Sequence, residues 1–164
     1  MQTRFLFVFF ALTLSIFSYS EDKKTDVICL AKNIYHEARG EPEIGQIAIS
    51  NVVINRVKSK QFPNDICSVV YQKNQISFIN RILEIIPINI PLCQFEWTCD
   101  LIPDDLLIDK KAWKNSKKIA KEVLNDLHPD YSKGATHYHS IKRSPYWAYS
   151  LNETAVIEGH KFLK

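Results

Sequence analysis

The 164-residue sequence lacks the features that define several large classes of protein. It contains no internal repeat and no low-complexity segment, which excludes repeat arrays and long linkers. The formal net charge is only +3, and neither a block of like charge nor a glycine- and aromatic-rich platform is present, so nothing indicates nucleic-acid binding. No apolar run reaches the ~20 residues of a membrane-spanning helix. The length suits one domain with a real core.

The first 20 residues form a separate pattern. Arg4 precedes an apolar run over 5–14 that continues through Phe17, and Ser18 and Ser20 follow before charge resumes at Glu21. A basic start, an apolar centre and small residues at the end are typical of a secretory signal peptide. An uncleaved anchor is the alternative, which the shortness of the run disfavours. We therefore expect residues 1–20 to be removed, leaving 21–164 as a single exported domain, in the periplasm or outside the cell, with no stable membrane span.

The cysteines favour disulfides over a metal site. Export makes disulfides chemically reasonable, and no C-x-x-C pair is present to indicate zinc. Four cysteines allow three pairings. Cys93 and Cys99 enclose only five residues, which favours a local bridge and leaves Cys29 to pair with Cys67.

Hydrophobic periodicity predicts helices in the first two thirds of the chain. They are expected over 26–39 with Thr25 or Asp26 as cap, over 44–57 after Pro42, from 65 to about 72, and over 109–127. The second helix is apolar nearly all round, which places it in the middle of the fold. Its amide side chains therefore need partners: Gln46, Asn51 and Asn55.

The last third is expected to form strands. Residues 136–139 alternate in type, and 154–162 is predicted as a further strand with Gly159 as a bulge. Helices followed by a small antiparallel sheet indicate a compact α+β domain. Residues 76–92, rich in isoleucine and interrupted by two prolines, fit either a helical hairpin flap or a packing insertion.

Glu37 occupies an unusual position for a glutamate. Val27, Leu30, Ile34 and Glu37 follow one another at spacings of three, four and three residues, so Glu37 shares the buried face of the first helix. It also lies in the last turn, at the negative end of the helix dipole. Burial and the dipole both raise the pKa of a carboxyl group. A surface glutamate paired with Arg39 or Arg56 is the plainer alternative, but a carboxyl that stays protonated near neutral pH is what general acid catalysis requires.

The order of motifs along the chain resembles the SleB-type cell wall hydrolase family, which includes the spore cortex-lytic enzymes. The most specific block is Ile34-Tyr35-His36-Glu37-Ala38-Arg39-Gly40-Glu41-Pro42, followed by Gly45-Gln46 and Asn55-Arg56. Looser blocks follow at 62–71, 93–100, 134–139, 145–148 and 160–162. Two departures stand out: 76–92 looks like an insertion, and Glu96 stands where relatives commonly have a small hydroxyl residue.

This resemblance implies a lysozyme-like fold related to lytic transglycosylases, a peptidoglycan substrate, no cofactor, and Glu37 as the catalytic residue. Such enzymes use one glutamate as acid and then base, whereas ordinary glycosidases use two carboxyl groups. Tyr138 is a candidate to orient substrate or to stabilise positive charge at C1, although packing under a strand would also explain it. The other substrate-binding candidates are Glu41, Gln46, Gln94, Phe95, Trp97 and His139, with Glu41 also suited to capping the second helix. We expect a monomer, since no partner other than the substrate is implied.

Two other classes of function stay open. His137, His139 and His160 could hold zinc in a peptidoglycan amidase or endopeptidase, because alternating residues of a strand point to the same side. Against this, no H-E-x-x-H motif is present. A non-catalytic wall-binding protein would need no buried acid at all.

Overall fold

The structure is a computed structural model that describes residues 23–75, 91–99 and 109–164. The expected signal peptide at 1–20 and residues 76–90 of the isoleucine-rich segment lie outside the described residues. In the described part of the chain, no helix is both long and apolar enough to cross a membrane.

In the described residues, four α-helices match the four that periodicity predicts, with shifted ends. Helix α1 covers 23–38, so Thr25 and Asp26 lie within it and do not cap it. Helix α2 spans Glu43–Lys58 and follows Pro42, and helix α3 spans Ile66–Val70 with the Asp65 carboxylate accepting a hydrogen bond from Ser68 N. Helix α4 spans Lys110–Leu124 with Asp109 as its cap, and it ends before Leu127, which is exposed.

Helix α2 is the centre of the fold, as its apolar surface predicts. It contacts α3, α4 and the C-terminal strands. One side of it packs with α1, α3 and α4 around Leu30, Ile34 and Ile119, all fully buried. Its other side packs against the sheet through Ile49 and Val52. The amides Gln46 and Asn51 are buried on this helix, and both have hydrogen-bond partners.

The segment predicted as one strand over 154–162 forms a hairpin of two strands. Strand β1 (Lys73–Gln75) pairs with β2 (Pro91–Cys93), and a three-stranded antiparallel sheet has the order β3 (His137–Ser140), β5 (His160–Leu163), β4 (Glu153–Ile157). The prediction of a continuous strand over 154–162 was wrong, because the chain reverses at Glu158 and Gly159. Glu158 has a φ of 48°, in the left-handed region that ends a strand and begins a tight turn. The predicted α+β architecture is confirmed.

Both expected disulfides are present. Cys29–Cys67 joins α1 to α3, and Cys93–Cys99 joins the end of β2 to the residue that follows the 3₁₀ helix Glu96–Thr98. The second bridge closes the short loop that contains Gln94 and Phe95.

A hydrogen-bonded turn fixes the entry into β3. The Asp130 carboxylate accepts from Ser132 N and Oγ, from Gly134 N and from Asn55 Nδ2 on α2. Burial raises the pKa of Asp130, but these hydrogen bonds outweigh it and lower the pKa below 3.8. Gly134 adopts a φ of 80°, a conformation that favours glycine. The turn therefore holds β3 at a fixed position against α2.

Candidate active site

Glu37 and Tyr138 meet where α1 ends against β3. The Tyr138 hydroxyl donates a hydrogen bond of 2.9 Å to Glu37 Oε2, across 101 residues of sequence. Glu37 lies in the last turn of α1 and is partly buried. No described residue donates to the second carboxylate oxygen, Oε1. One oxygen is therefore fixed by the protein, and the other is available to a ligand.

The pKa of Glu37 lies above its ordinary value of 4.5. Burial is the largest cause, because it disfavours the charged carboxylate. The hydrogen bond from Tyr138 acts against burial and lowers the pKa, the negative charge of Glu96 raises it, and the positive charge of Arg56 lowers it. The balance favours the protonated acid at a higher pH than an exposed glutamate allows.

Tyr138 is held in its neutral form. Burial, followed by the charge of the Glu37 carboxylate and the hydrogen bond to it, raises the pKa of Tyr138 well above 10. The phenol therefore stays a hydrogen-bond donor at neutral pH. Its ring lies beside those of His160 and Phe162, with centroids 5.7 and 6.0 Å away.

Arg56 is a buried cation beside this pair, and its place in the site was not predicted. Its Nε donates to Thr136 O at 2.7 Å, and with the Gln94 amide oxygen turned toward it, Nη1 and Nη2 both donate to that oxygen at 3.2 Å. The guanidinium also lies over the rings of Phe62 and Phe95. Burial lowers the pKa of Arg56 to about 10, so it remains charged at neutral pH.

These side chains open onto a cleft of about 530 Å³. The described residues that line it are Glu37, Arg56, Gln94, Phe95, Glu96, His137, Tyr138, Trp147, Ser150 and Leu151. The cleft is thus built from the end of α1, the middle of the chain and the C-terminal third. Glu96 is the second carboxyl group in its lining. Burial, followed by the charge of Arg56, lowers the pKa of His137 below 6.5, so His137 is neutral at pH 7.

The cleft brings together some of the predicted site residues and leaves others outside its lining. Gln94, Phe95 and Tyr138 line it with Glu37. Trp97 is not in the described lining and stacks on His36, with ring centroids 4.4 Å apart. His139 lies against Trp147, outside the lining, at a centroid distance of 5.8 Å.

Glu41 and Gln46 serve the turn between α1 and α2. Gln46 Nε2 donates to the Glu41 carbonyl at 2.8 Å, and Gln46 Oε1 accepts from Asn115 on α4 at 3.3 Å. The Glu41 side chain lies by Gly159 and 4.0 Å from His160 Nδ1. Neither residue is in the described lining of the cleft, and their contacts connect the turn to α4 and to the hairpin of β4 and β5.

The three histidines proposed as zinc ligands do not converge. Tyr138 pairs with Phe162 and Ser140 with His160, so His160 shares the face of Tyr138, and His137 and His139 lie on the other face. Across 23–75, 91–99 and 109–164, no three His, Cys, Asp or Glu side chains are placed to hold one metal ion. The geometry therefore gives the zinc hypothesis no support.

For the peptidoglycan cleavage that the sequence leads us to expect, Tyr138→Phe should move the alkaline limb of the pH profile of kcat/KM to higher pH. The lost hydrogen bond stabilises the charged carboxylate, so its removal raises the pKa of Glu37 further. The rate at the optimum should fall about tenfold, the scale of one hydrogen bond to a charged group. Glu96→Gln is the matched control: it removes a charge that raises the same pKa, so the limb should move to lower pH. If the alkaline limb stays in place in both variants, the expectation that Glu37 is the catalytic acid is wrong.

A small α+β domain with a partly buried glutamate open to a cleft has the arrangement that general acid catalysis requires. The cell wall hydrolase family matches residues 40–163, and the chain belongs to that family. Curated relatives include the spore cortex-lytic enzymes of Bacillus subtilis, 47% identical over 47 residues, and Bacillus cereus, 41% identical over 49 residues. Those alignments cover 29% and 30% of this chain, and 15% and 19% of the relatives, so the chain aligns with a fifth or less of each curated protein.

Two solved structures share the fold. The catalytic domain of the germination-specific lytic transglycosylase SleB from Bacillus anthracis superposes with a TM-score of 0.55, 24% identity, and coverage of 85% of this chain and 93% of that one. The catalytic domain of the Bacillus cereus SleB protein superposes with a TM-score of 0.56 and 24% identity. That match covers 86% of this chain and 91% of the other. The resemblance to the SleB type is thereby confirmed, and at this identity these structures establish the fold.

Proposed function

We propose that this chain cleaves the glycan strand of peptidoglycan at the N-acetylmuramyl–N-acetylglucosamine bond, with Glu37 as general acid. The observation that supports this most is a partly buried carboxyl group with a raised pKa, fixed by Tyr138 and open to a cleft. Family membership supports a cell wall substrate. The family match begins at residue 40, so the role of Glu37 rests on the geometry of the site.

The first step is proton transfer to the bridging glycosidic oxygen. Protonated Glu37 gives its proton to that oxygen as the C1–O bond breaks, and positive charge builds at C1 and the ring oxygen. Tyr138 donates to Oε2 and holds the carboxyl in place during the transfer. The departing sugar leaves with a hydroxyl group where the bridging oxygen was.

The second step consumes the cation at C1. The Glu37 carboxylate takes the proton from the C6 hydroxyl of the muramyl residue, and O6 bonds to C1, which gives a 1,6-anhydro end and restores the protonated acid. In the alternative, water attacks C1 and produces a reducing end. Glu96 lies in the same cleft and would be the carboxylate to assist that water. We favour the single-glutamate route, because Glu37 is partly buried and hydrogen-bonded to Tyr138, whereas Glu96 is exposed.

The end groups of the products test this proposal. Purified sacculi should release soluble fragments, and mass spectrometry should find anhydromuramyl ends. Reducing ends would keep the glycosidase and replace the single-glutamate route by hydrolysis. New peptide termini with intact glycan strands would contradict the proposal, and binding to sacculi without any release of fragments would identify a wall-binding protein.

The site of action follows from the substrate. Peptidoglycan lies outside the cytoplasmic membrane, so we infer that the chain acts there, as the basic and apolar pattern at residues 1–20 also indicates. Fractionation of expressing cells should find the protein in the periplasm, the wall or the medium.

A further inference from the structure

A second cavity adjoins the cleft that holds Glu37. It has a volume of about 620 Å³, and His137 and Leu151 line both spaces. The two spaces are therefore neighbours, and both are reached from the side of His137 and Leu151. The size is within the range of about 300–1,000 Å³ that suits a small ligand or a short peptide.

Three lysines line this second cavity: Lys58, Lys60 and Lys164. Lys58 ends α2, Lys60 follows it, and both are exposed. The Lys164 ammonium lies above Gly134, so close that a Cβ at that position would stand 3.3 Å from Nζ. We call this space the lysine cavity.

The lining of the lysine cavity is predominantly positive in the described part of the chain. Its lining there includes no aspartate or glutamate. None of the three lysines forms an ion pair with a described carboxylate, in contrast to Lys118 and Lys161 elsewhere on the surface. The Asp130 carboxylate lies beyond Gly134 and Asn55, from which it accepts hydrogen bonds, and its single negative charge offsets part of the charge of the three lysines.

We infer that the lysine cavity binds carboxylate groups of the peptide that peptidoglycan bears beside the bond to be cut. This inference rests on the proposed function. The sugars of an N-acetylated glycan strand are uncharged, and the peptides attached to its muramyl residues supply free carboxylates. A strand lying in the cleft carries such a peptide to one side, and the cavity that adjoins the cleft at His137 and Leu151 offers cations there.

The test compares two double variants on three substrates. Lys58→Gln/Lys60→Gln removes two charges from the cavity, and Lys111→Gln/Lys114→Gln removes two exposed charges from α4, which does not line the cleft. The substrates are soluble strands with intact peptides, the same strands with peptide carboxylates converted to amides, and strands freed of peptides. All are prepared without phosphate polymers, so only carboxylates can provide the negative charge.

We expect the cavity variant to raise KM roughly tenfold on strands with intact peptides, as two solvent-exposed ion pairs allow. On amidated and peptide-free strands its KM should equal that of the parent chain, and kcat should be unchanged on all three substrates. High salt should reduce the advantage of intact strands for the parent chain. The α4 variant should behave as the parent chain does.

Three results would overturn the inference: an unchanged KM on intact strands, an equal rise on all three substrates, or the same rise in the α4 variant. If the parent chain cleaves none of the substrates, the proposed function itself fails. If the parent chain cleaves all three with one KM, only the peptide subsite fails. Thermal melting of both double variants shows whether a lost activity is a lost fold.

Discussion

Glu37→Gln should lose cleavage of purified sacculi by roughly 10²- to 10⁴-fold in kcat, the range that a positioned general acid contributes. Glutamine keeps the shape of the side chain and can still accept the hydrogen bond from Tyr138, but it has no acidic proton to transfer. KM should change little, because the amide occupies the same place in the cleft.

The same substitution should stabilise the fold at neutral pH. The folded pKa of Glu37 is raised, so the folded state binds this proton more tightly than the unfolded chain does. The contribution of Glu37 to stability is therefore fully present below the unfolded pKa, about 4.3, and is lost as pH rises through the folded pKa. Urea unfolding should find the variant close to the parent chain near pH 4 and more stable at pH 7.

Glu43→Gln is the matched control for both measurements. Glu43 lies in the first turn of α2, half exposed, with Lys118 at 3.4 Å. Its loss should leave activity intact and lower stability slightly, since an acid favours a helix N-terminus. Near-full activity in Glu37→Gln, or a variant less stable than the parent chain at pH 7, would contradict the role given to Glu37.

Of the substitutions considered, removal of the disulfide between Cys29 and Cys67 should lower the free energy of unfolding most. The two residues are 38 positions apart, and closing a loop of that length restricts the unfolded chain by about 4 kcal/mol. A domain of this size is stable by only about 5–15 kcal/mol. Chemical denaturation of Cys29→Ala/Cys67→Ala should therefore have its midpoint at a much lower denaturant concentration than that of the parent chain.

Loss of the second disulfide, Cys93–Cys99, should affect activity more than stability. Cys93 and Cys99 are six positions apart, so their loss should cost only about 2 kcal/mol in the same loop-closure treatment. The loop that they close supplies Gln94, Phe95 and Glu96 to the cleft. Cys93→Ala/Cys99→Ala should thus lose more activity and less stability than Cys29→Ala/Cys67→Ala does. The reverse order would show that this loop does not shape the cleft.

Local patterns predicted the helices and the position of Glu37, because both depend on periodicity within one segment. The stripe of Val27, Leu30 and Ile34 leads to Glu37, and the structure places that side chain partly buried in the last turn of α1. The core position of α2 follows in the same way from its apolar surface. In each case the residues that decide the outcome lie within a few turns of one another.

Features that depend on distant contacts were not predictable in this way. Arg56 belongs to the site because Thr136, Gln94 and two aromatic rings surround it, and no spacing within α2 reveals those partners. An arginine on a helix that is apolar nearly all round was the available signal, since a buried charge needs partners. The turn at Glu158 was missed because glutamate seldom adopts a positive φ, so its identity favours a continuous strand.

Titration of the Glu37 carboxyl by carbon-13 NMR, set beside the pH profile of kcat/KM, tests the central claim most directly. The structure predicts a midpoint above 4.5, an alkaline limb of the profile at the same pH, and a joint upward shift of both in Tyr138→Phe. A midpoint at or below 4.5, or an alkaline limb that does not follow the titration of Glu37, would contradict its role as the catalytic acid.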